Sequence, residues 1–367
     1  MDAARKILEI AKWAPSGDNT QPWRFEIASP HHLVVRAFDT RRHVIYDLEG
    51  HASHIAHGAL LQTIIYAATS FGIEAKWTLR TESSEEQPVY DVHLNEEPSI
   101  EKHPLTAYIE SRATQRRPMS PTSLSETEKV SLENAAGDDF EIRWWSSWRD
   151  RFKFAKFLFS AARLRLITPE AFEVHRQIIE WGASDSVDKI PETAVGMSPL
   201  TLRLSQWTFQ SWKRMAMMNA IPTATWFPRL ELDFFPGLFC ASHYALFAKN
   251  GLQTSLDYVS AGMAVQRVWL QATALGLQQQ PEMTPLIFKT YINKGIEHTA
   301  DHDASAAARK FATDGFWSQF SEGEVERMCW VGRLGRRKVK TRSSRLPLER
   351  LLQSQQKSMH YEDSNAE

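Results

Sequence analysis

The chain has 367 residues, 43% of them hydrophobic and 24% charged, with 43 Lys and Arg against 44 Asp and Glu for a formal net charge of −1. At roughly 150 residues per domain that is about 2.4 domains of globular composition, which excludes a disulfide-dense mini-scaffold and a disordered chain. The balanced charge gives no global pull toward nucleic acid or anionic membrane, so neither is expected as a partner. Two cysteines, Cys240 and Cys329, 89 positions apart, are expected to be reduced thiols. The N-terminus lacks a signal-peptide pattern, and the most apolar stretch, 234–248, is too short to span a bilayer, so a cytoplasmic protein is expected.

Residues 2–13 carry helix periodicity, with Ile7, Leu8, Ile10, Ala11 and Trp13 set among charged positions, and Pro15, Ser16 and Gly17 stop the helix. Residues 23–27 and 33–38 read as strands around the Ser29-Pro30 turn, and 50–72 as a buried helix. A strand pair, 74–81 and 89–94, follows. Helical patterning over 105–137 is broken by Pro118 and Pro121, and 140–145 reads as a strand. From about 149 to 232 the chain reads as mostly helical and rich in Arg, Trp and Met. A second buried helix over 255–276 and a strand over 328–334 complete the folded part, and the chain after Arg342 reads as a polar, mobile tail.

The two buried helices match in register. Gly58, Gln62, Ala68, Thr69 and Gly72 recur as Gly262, Gln266, Ala272, Thr273 and Gly276, every offset being 204 residues. A degenerate echo accompanies them. Residues 13–19 precede the strand Arg24-Phe25-Glu26-Ile27, and Ala135-Ala136-Gly137-Asp138-Asp139 precedes Phe140-Glu141-Ile142-Arg143. Two related halves are expected, the second carrying a long helical insertion.

The strongest local motif is Ala14-Pro15-Ser16-Gly17-Asp18-Asn19-Thr20-Gln21-Pro22-Trp23. Two prolines and a glycine fix the backbone course. Backbone N–H groups and the Ser16 and Asn19 side chains can cradle a phosphate or the polar edge of a heterocycle, although an ordinary helix–strand connector has the same composition.

This motif resembles the FMN-binding loop of the nitroreductase-like flavoprotein family, matching from Ala14 to Trp23. That family's phosphate-gripping Arg-x-Ser-x-Arg segment is matched by Arg112-Ala113-Thr114-Gln115-Arg116, with Thr replacing Ser. The ending Ala272-Thr273-Ala274-Leu275-Gly276-Leu277 resembles the family's central helix, and Trp330-Val331-Gly332-Arg333-Leu334-Gly335 its C-terminal strand. Ordinary members are homodimers with each flavin at the interface. The division of these pieces between the two halves resembles the tandem branch that includes the Acg-type proteins. The resemblance implies an α+β fold of two degenerate repeats in one chain, a pseudo-dimer with a helical lid. Its parts would be a first repeat over 1–104, a second over 105–340 with an insertion at about 149–240, and a polar tail over 341–367.

It further implies FMN as cofactor, with Pro15, Ser16, Gly17, Asn19, Gln21, Arg112, Thr114, Arg116, Pro281, Glu282 and Arg333 in its site. Arg112 and Arg116, four apart, would share a helical face toward the phosphate, with Arg333 as a third donor. A backbone N–H near Glu282 would tune flavin N5. No side-chain acid or base is required as a catalytic residue. The expected reaction passes a hydride from NAD(P)H through FMN to an aromatic or quinone-like acceptor. The alternatives are an FMN-sequestering protein without turnover and a specialised biosynthetic flavin dehydrogenase. Either a monomeric pseudo-dimer or a homodimer is expected.

Other constellations are weaker. His51, His54 and His57 fit a structural or solvent-facing role better than a metal site. Asp301-His302-Asp303 reads as a loop or helix cap. The absence of a Gly-x-Gly-x-x-Gly or phosphate-loop lysine motif argues against a separate dinucleotide domain. The basic run from Arg333 to Arg345 lacks stacking aromatics and reads, beyond Arg333, as a solvated tail. The insertion's Trp207, Phe209, Trp212, Met215, Met217, Met218, Trp226 and Phe227 are expected to form helix core or a lid over the flavin.

Overall fold

Alternating apolar residues in the first half of the chain make one antiparallel sheet in the computed structural model, which describes residues 3–221, 223–339 and 341–353. Its strands β1 (Trp23–Ser29), β2 (His32–Ala37), β3 (Ile73–Leu79) and β4 (Val89–Glu96) lie in the order β1-β2-β4-β3. Along β4, Tyr90, Val92 and Leu94 point inward, as period-two patterning requires. Helices α1 (Ala3–Ala11) and α2 (His51–Thr69) pack Ile7, Leu8, Leu60 and Ile64 against them.

The second sheet has the order β5-β8-β10-β9, from β5 (Phe140–Trp145), β8 (Ser242–Ala248), β9 (Gln278–Pro281) and β10 (Met328–Gly335). β8 and β10 are buried at every position, because both faces are covered. β8 therefore has no polar alternation to reveal it as a strand in the sequence. Helices α3 (Glu126–Ala136) and α11 (Ser255–Ala274) pack against this sheet. The helices α12 (Thr284–Asn293), α13 (His302–Ala312) and α14 (Glu322–Arg327) lie between β9 and β10 in the chain. Asp301 caps α13 by accepting from Ala304 N at 2.9 Å.

The insertion is helical, as expected. It comprises α4 (Trp148–Ile167), α5 (Pro169–Ile178), α6 (Glu192–Val195), α7 (Pro199–Thr208), α8 (Trp212–Ala220), α9 (Trp226–Arg229), a π-helical turn over Leu230–Phe234, and α10 (Phe235–Leu238). One short parallel pair, β6 (Ile179–Glu180) with β7 (Ile190–Pro191), interrupts it.

The two halves meet where α2 crosses α11, and glycine sets the distance. A Cβ on Gly58 would lie 1.8 Å from the Val259 carbonyl oxygen, and one on Gly262 would lie 2.0 Å from that of Ile55. Ile55 and Val259 are themselves 204 apart, so the contact is reciprocal. The polar pairs repeat the exchange. Gln266 Nε2 donates to Thr63 Oγ1 at 2.9 Å, and Arg267 Nη1 donates to Gln62 Oε1 at 3.1 Å. Reciprocal contacts of this kind are the pattern found in isologous interfaces.

Two stretches depart from the sequence reading. Residues 109–125 are not helical. Thr114 bridges in parallel to Gln279, Ser120 pairs with Arg336, and Met119 N donates to Phe239 O at 2.7 Å. Tertiary pairing with the second sheet outweighs the helical pattern there. Residues 341–353 are no loose tail either. Leu346, Leu348 and Leu351, the last two in α15 (Leu348–Leu351), are buried in the core of the first half, and Leu352 bridges Phe25. Residues 354–367 of the expected tail lie outside the described residues.

Candidate functional site

The Pro15–Gln21 loop leaves α1 and turns sharply before β1. Its left-handed backbone falls on Asp18, Asn19 and Gln21 (φ 49°, 67° and 49°), not on Gly17. Three such residues so close together are costly unless the surroundings impose them. Gln21, fully buried, does so. Its Nε2 donates to Asn19 O at 2.9 Å and to Val187 O at 2.8 Å, and its Oε1 accepts from Leu346 N at 3.0 Å. Ser16 Oγ accepts from Gln21 N at 2.9 Å. The loop is thus tied to the insertion and to the C-terminal segment at once.

A cavity of about 500 Å³ opens over this loop and the α2–α11 crossing. That is within the ordinary range for a small-molecule site. Of the residues expected at the flavin, Pro15, Ser16, Gly17, Asn19, Arg112, Thr114, Arg116, Pro281, Glu282 and Arg333 all line it. Gln21 does not; it props the loop from behind. The corresponding second-half loop, 135–139, does not line the cavity, and Arg267 donates to Ala135 O and Ala136 O there, at 2.9 Å and 2.6 Å.

Arg112 and Arg116 do not share a helical turn. Thr114 bridges to Gln279, and Arg112, Ala113, Thr114 and Arg116 line the cavity while Gln115 does not. Both side chains line the cavity, Arg112 beside Arg345 and Arg342 and Arg116 beside Asp18 and Arg333. Arg112 is buried, lies 4.6 Å over the Trp269 ring, and donates to Trp13 O at 3.1 Å. Arg342 lies 4.5 Å over Trp13, and Arg345 lies 5.7 Å over the same ring and donates to Ala14 O at 3.3 Å. Burial, then the cations of Arg345 and Arg342, push the Arg112 pKa well below its usual value. Burial and Arg342 bring that of Arg345 down to about 10. Arg112 and Arg345 form no ion pair with any described residue, Arg342 pairs with the exposed Glu110 at 3.3 Å, and Arg116 stands apart beside Asp18. A cluster like this needs an anion to stabilise it.

Arg342 and Arg345 correct the reading of the basic run as a solvated tail, since both line the cavity. The aromatic partner missing from that run is Trp13, more than three hundred residues earlier. Lys338 stays exposed.

Arg333 has the opposite character. Its Nη1 donates to Glu282 Oε1 at 2.6 Å and its Nη2 to Arg116 O at 2.9 Å. Glu282 Oε2 lies 2.7 Å from His243 Nδ1, and His243 Nε2 lies 2.7 Å from Gly237 O. Both ring nitrogens face acceptors, so the imidazole is doubly protonated. Burial opposes that charge, but the Cys240 sulfur and the Glu282 carboxylate outweigh it, and the His243 pKa rises to about 10. Arg333 and His243 thus share the single carboxylate of Glu282, and Phe154 stacks on His243 at 4.1 Å. Glu282 N already donates to Val331 O at 2.8 Å, which corrects the idea that this N–H faces a flavin.

The insertion roofs the cavity. Leu158, Ala162, His175, Phe209, Met215 and Met218 face inward, whereas Trp207, Met217, Trp226 and Phe227 are exposed. Near the roof, Arg165 holds Asp233 through two 2.6 Å contacts and Tyr46 Oη lies 3.3 Å from His175 Nε2. Burial, reinforced by Arg165, lowers the His175 pKa to about 3, so this imidazole is neutral. The three spaced histidines play packing roles. His51 stacks on Tyr258 at 3.8 Å, and buried His57 donates to Pro22 O and Phe38 O.

Against known proteins, no family model matches the chain. An uncharacterized protein, MT1398, of Mycobacterium tuberculosis is 24% identical over 310 residues, covering 83% of this chain and 42% of that protein. The chain thus spans less than half the length of this relative. Among solved structures it is similar to a nitroreductase-like family protein from Bacillus cereus, with 9% identity and a TM-score of 0.34, over 69% of this chain and 96% of that one. It is also similar to the FMN-dependent nitroreductase NfnB from Mycobacterium smegmatis in complex with NADPH, with 14% identity and a TM-score of 0.30, over 63% and 87%.

Proposed function

We propose that the chain is an FMN-dependent oxidoreductase that binds one flavin between its halves and passes a hydride from NAD(P)H to an aromatic or quinone-like acceptor. The observation that supports this reading is that Arg112 and Arg345, neither with a carboxylate partner, meet on one ligand-sized cavity beside the Ser16–Asn19 loop. The buried orphan atoms fit the group. Arg112 Nε is an unused donor, and Asn19 Oδ1 and Gln280 Oε1 are unused acceptors. A phosphate answers the first and the N–H edge of a heterocycle answers the others.

FMN, when bound, supplies the two-electron redox chemistry. Arg112, Arg342 and Arg345 hold its phosphate. Arg116 adds a cation that Asp18 moderates. Arg333, occupied by Glu282, braces the floor of the cavity. The roof of Leu158, Phe209, Met215 and Met218 keeps water away from the reacting face. With no dinucleotide-binding motif elsewhere, NAD(P)H and the acceptor share this face in turn, which gives ping-pong kinetics. The reciprocal α2–α11 contact supports reading 1–104 and 105–340 as degenerate repeats that share one surviving site.

The roof also favours a second reading, FMN storage without turnover, because inward residues from several insertion helices cover the cavity. The absorption spectrum of the purified protein, before and after NADPH, separates the two. Bound flavin that bleaches rapidly supports turnover, and bound flavin that does not bleach supports storage. A colourless protein that takes up no added FMN refutes both.

A further inference from the structure

We infer that the outer face of the helical insertion is a docking surface for an anionic phospholipid bilayer. On α4, Trp148, Phe152, Lys156, Phe159 and Arg163 follow one another at spacings of four, four, three and four, which places them on one helical stripe. Ring contacts continue that stripe across the insertion. Trp148 meets Phe152 at 5.9 Å, Phe152 meets Phe234 at 6.1 Å, Phe234 meets Phe159 at 6.3 Å, and Phe159 meets Trp226 at 6.1 Å. Trp148 is 62% exposed, Trp226 48% and Phe227 65%, which is unusual for such large apolar side chains.

Cations predominate around this ridge. Arg149, Lys153, Lys156, Arg163, Arg203 and Lys213 are exposed. Residues 199–229 contain no Asp or Glu. The acids beside the ridge are engaged, Asp150 with Ser147, Asp233 with Arg165, and Glu231 with Ser198 N. A chain with a net charge of −1 thus concentrates cations where it also exposes aromatics. Aromatics that enter the headgroup region, flanked by Lys and Arg that meet lipid phosphates, fit a helical surface lying on an anionic membrane. Among the described residues no helix is long and apolar enough to cross a membrane, so the association is peripheral. The roof of the cavity is the inner side of the same helices.

The test is cosedimentation of the full chain with vesicles of phosphatidylcholine alone and of equimolar phosphatidylcholine and phosphatidylglycerol. Sedimentation is expected with the phosphatidylglycerol vesicles only, and raised salt should weaken it. The Lys153→Glu/Lys156→Glu variant and the Trp148→Ser/Phe227→Ser variant should each bind roughly tenfold more weakly or worse. Lys76→Glu/Lys102→Glu, the same charge change away from the ridge, should bind like the parent. These are surface positions, and an unchanged circular dichroism melt establishes that each variant is folded. Equal binding to both vesicles, binding to neither, or self-association that the Trp148→Ser/Phe227→Ser variant abolishes would overturn the inference. The readout needs no flavin and stands apart from the fate of the FMN reading.

Discussion

Arg112 and Arg333 are both buried and both face one cavity, yet they behave differently because only one has a carboxylate partner. Losing an unpaired phosphate donor removes a charge-assisted hydrogen bond of about 1.5–3 kcal/mol, roughly tenfold or more in affinity. Arg112→Ala and Arg345→Ala should each weaken FMN binding by that factor, and Lys338→Ala should leave it unchanged. Quenching of flavin fluorescence measures all three, and equal dissociation constants would contradict the phosphate assignment. His243 gives a pH prediction. Its pKa is raised from 6.5 to about 10 on folding, so its contribution to stability is complete below the unfolded value and fades as pH rises through about 10. Chemical denaturation between neutral and alkaline pH should show that decline, and His243→Gln should flatten it.

Among the elements, the α2–α11 crossing depends on two glycines whose role is steric. Gly→Ala inside an exposed helix usually stabilises by about 1 kcal/mol. At Gly58 the sign should reverse, because the added Cβ would lie 1.8 Å from a backbone oxygen that cannot move alone. Gly58→Ala should lower the melting temperature measurably, whereas Gly315→Ala, with open space around it, should not. The common Gly-x3-Gln spacing was legible in the sequence as an internal repeat, but the contact itself was not, because the two helices are 204 residues apart. The extended course of 109–125 was not legible. Its pairing partners, Gln279, Arg336 and Phe239, are more than a hundred residues away.

For the molecule as a whole, the site depends on chain ends that meet in space. Arg342 and Arg345 reach a loop that begins at Ala14, and Leu346, Leu348 and Leu351 seal the first core behind it. Removing residues 340–367 should therefore do two things. It should lower the denaturant midpoint, since a fully buried leucine contributes roughly 1.5–3 kcal/mol. It should also abolish tight FMN binding. A truncated chain with parental stability and affinity would show that the C-terminal segment belongs to neither the core nor the site.

The sequence by itself determined the local chemistry. The buried helices and their common spacing follow from short-range apolar patterning, and the Pro15–Gln21 loop and the Arg112–Arg116 segment stand out through the resemblance of their motifs to a flavin-binding family. Tertiary structure alone decided which charges are paired. Arg333 looked like a phosphate donor and proved to be bound to Glu282, while Arg342 and Arg345 looked solvated and proved to face the cavity. The reason is physical. A charged side chain takes its role from whichever partners the fold brings within a few ångströms, and those partners here lie tens to hundreds of residues away in the chain.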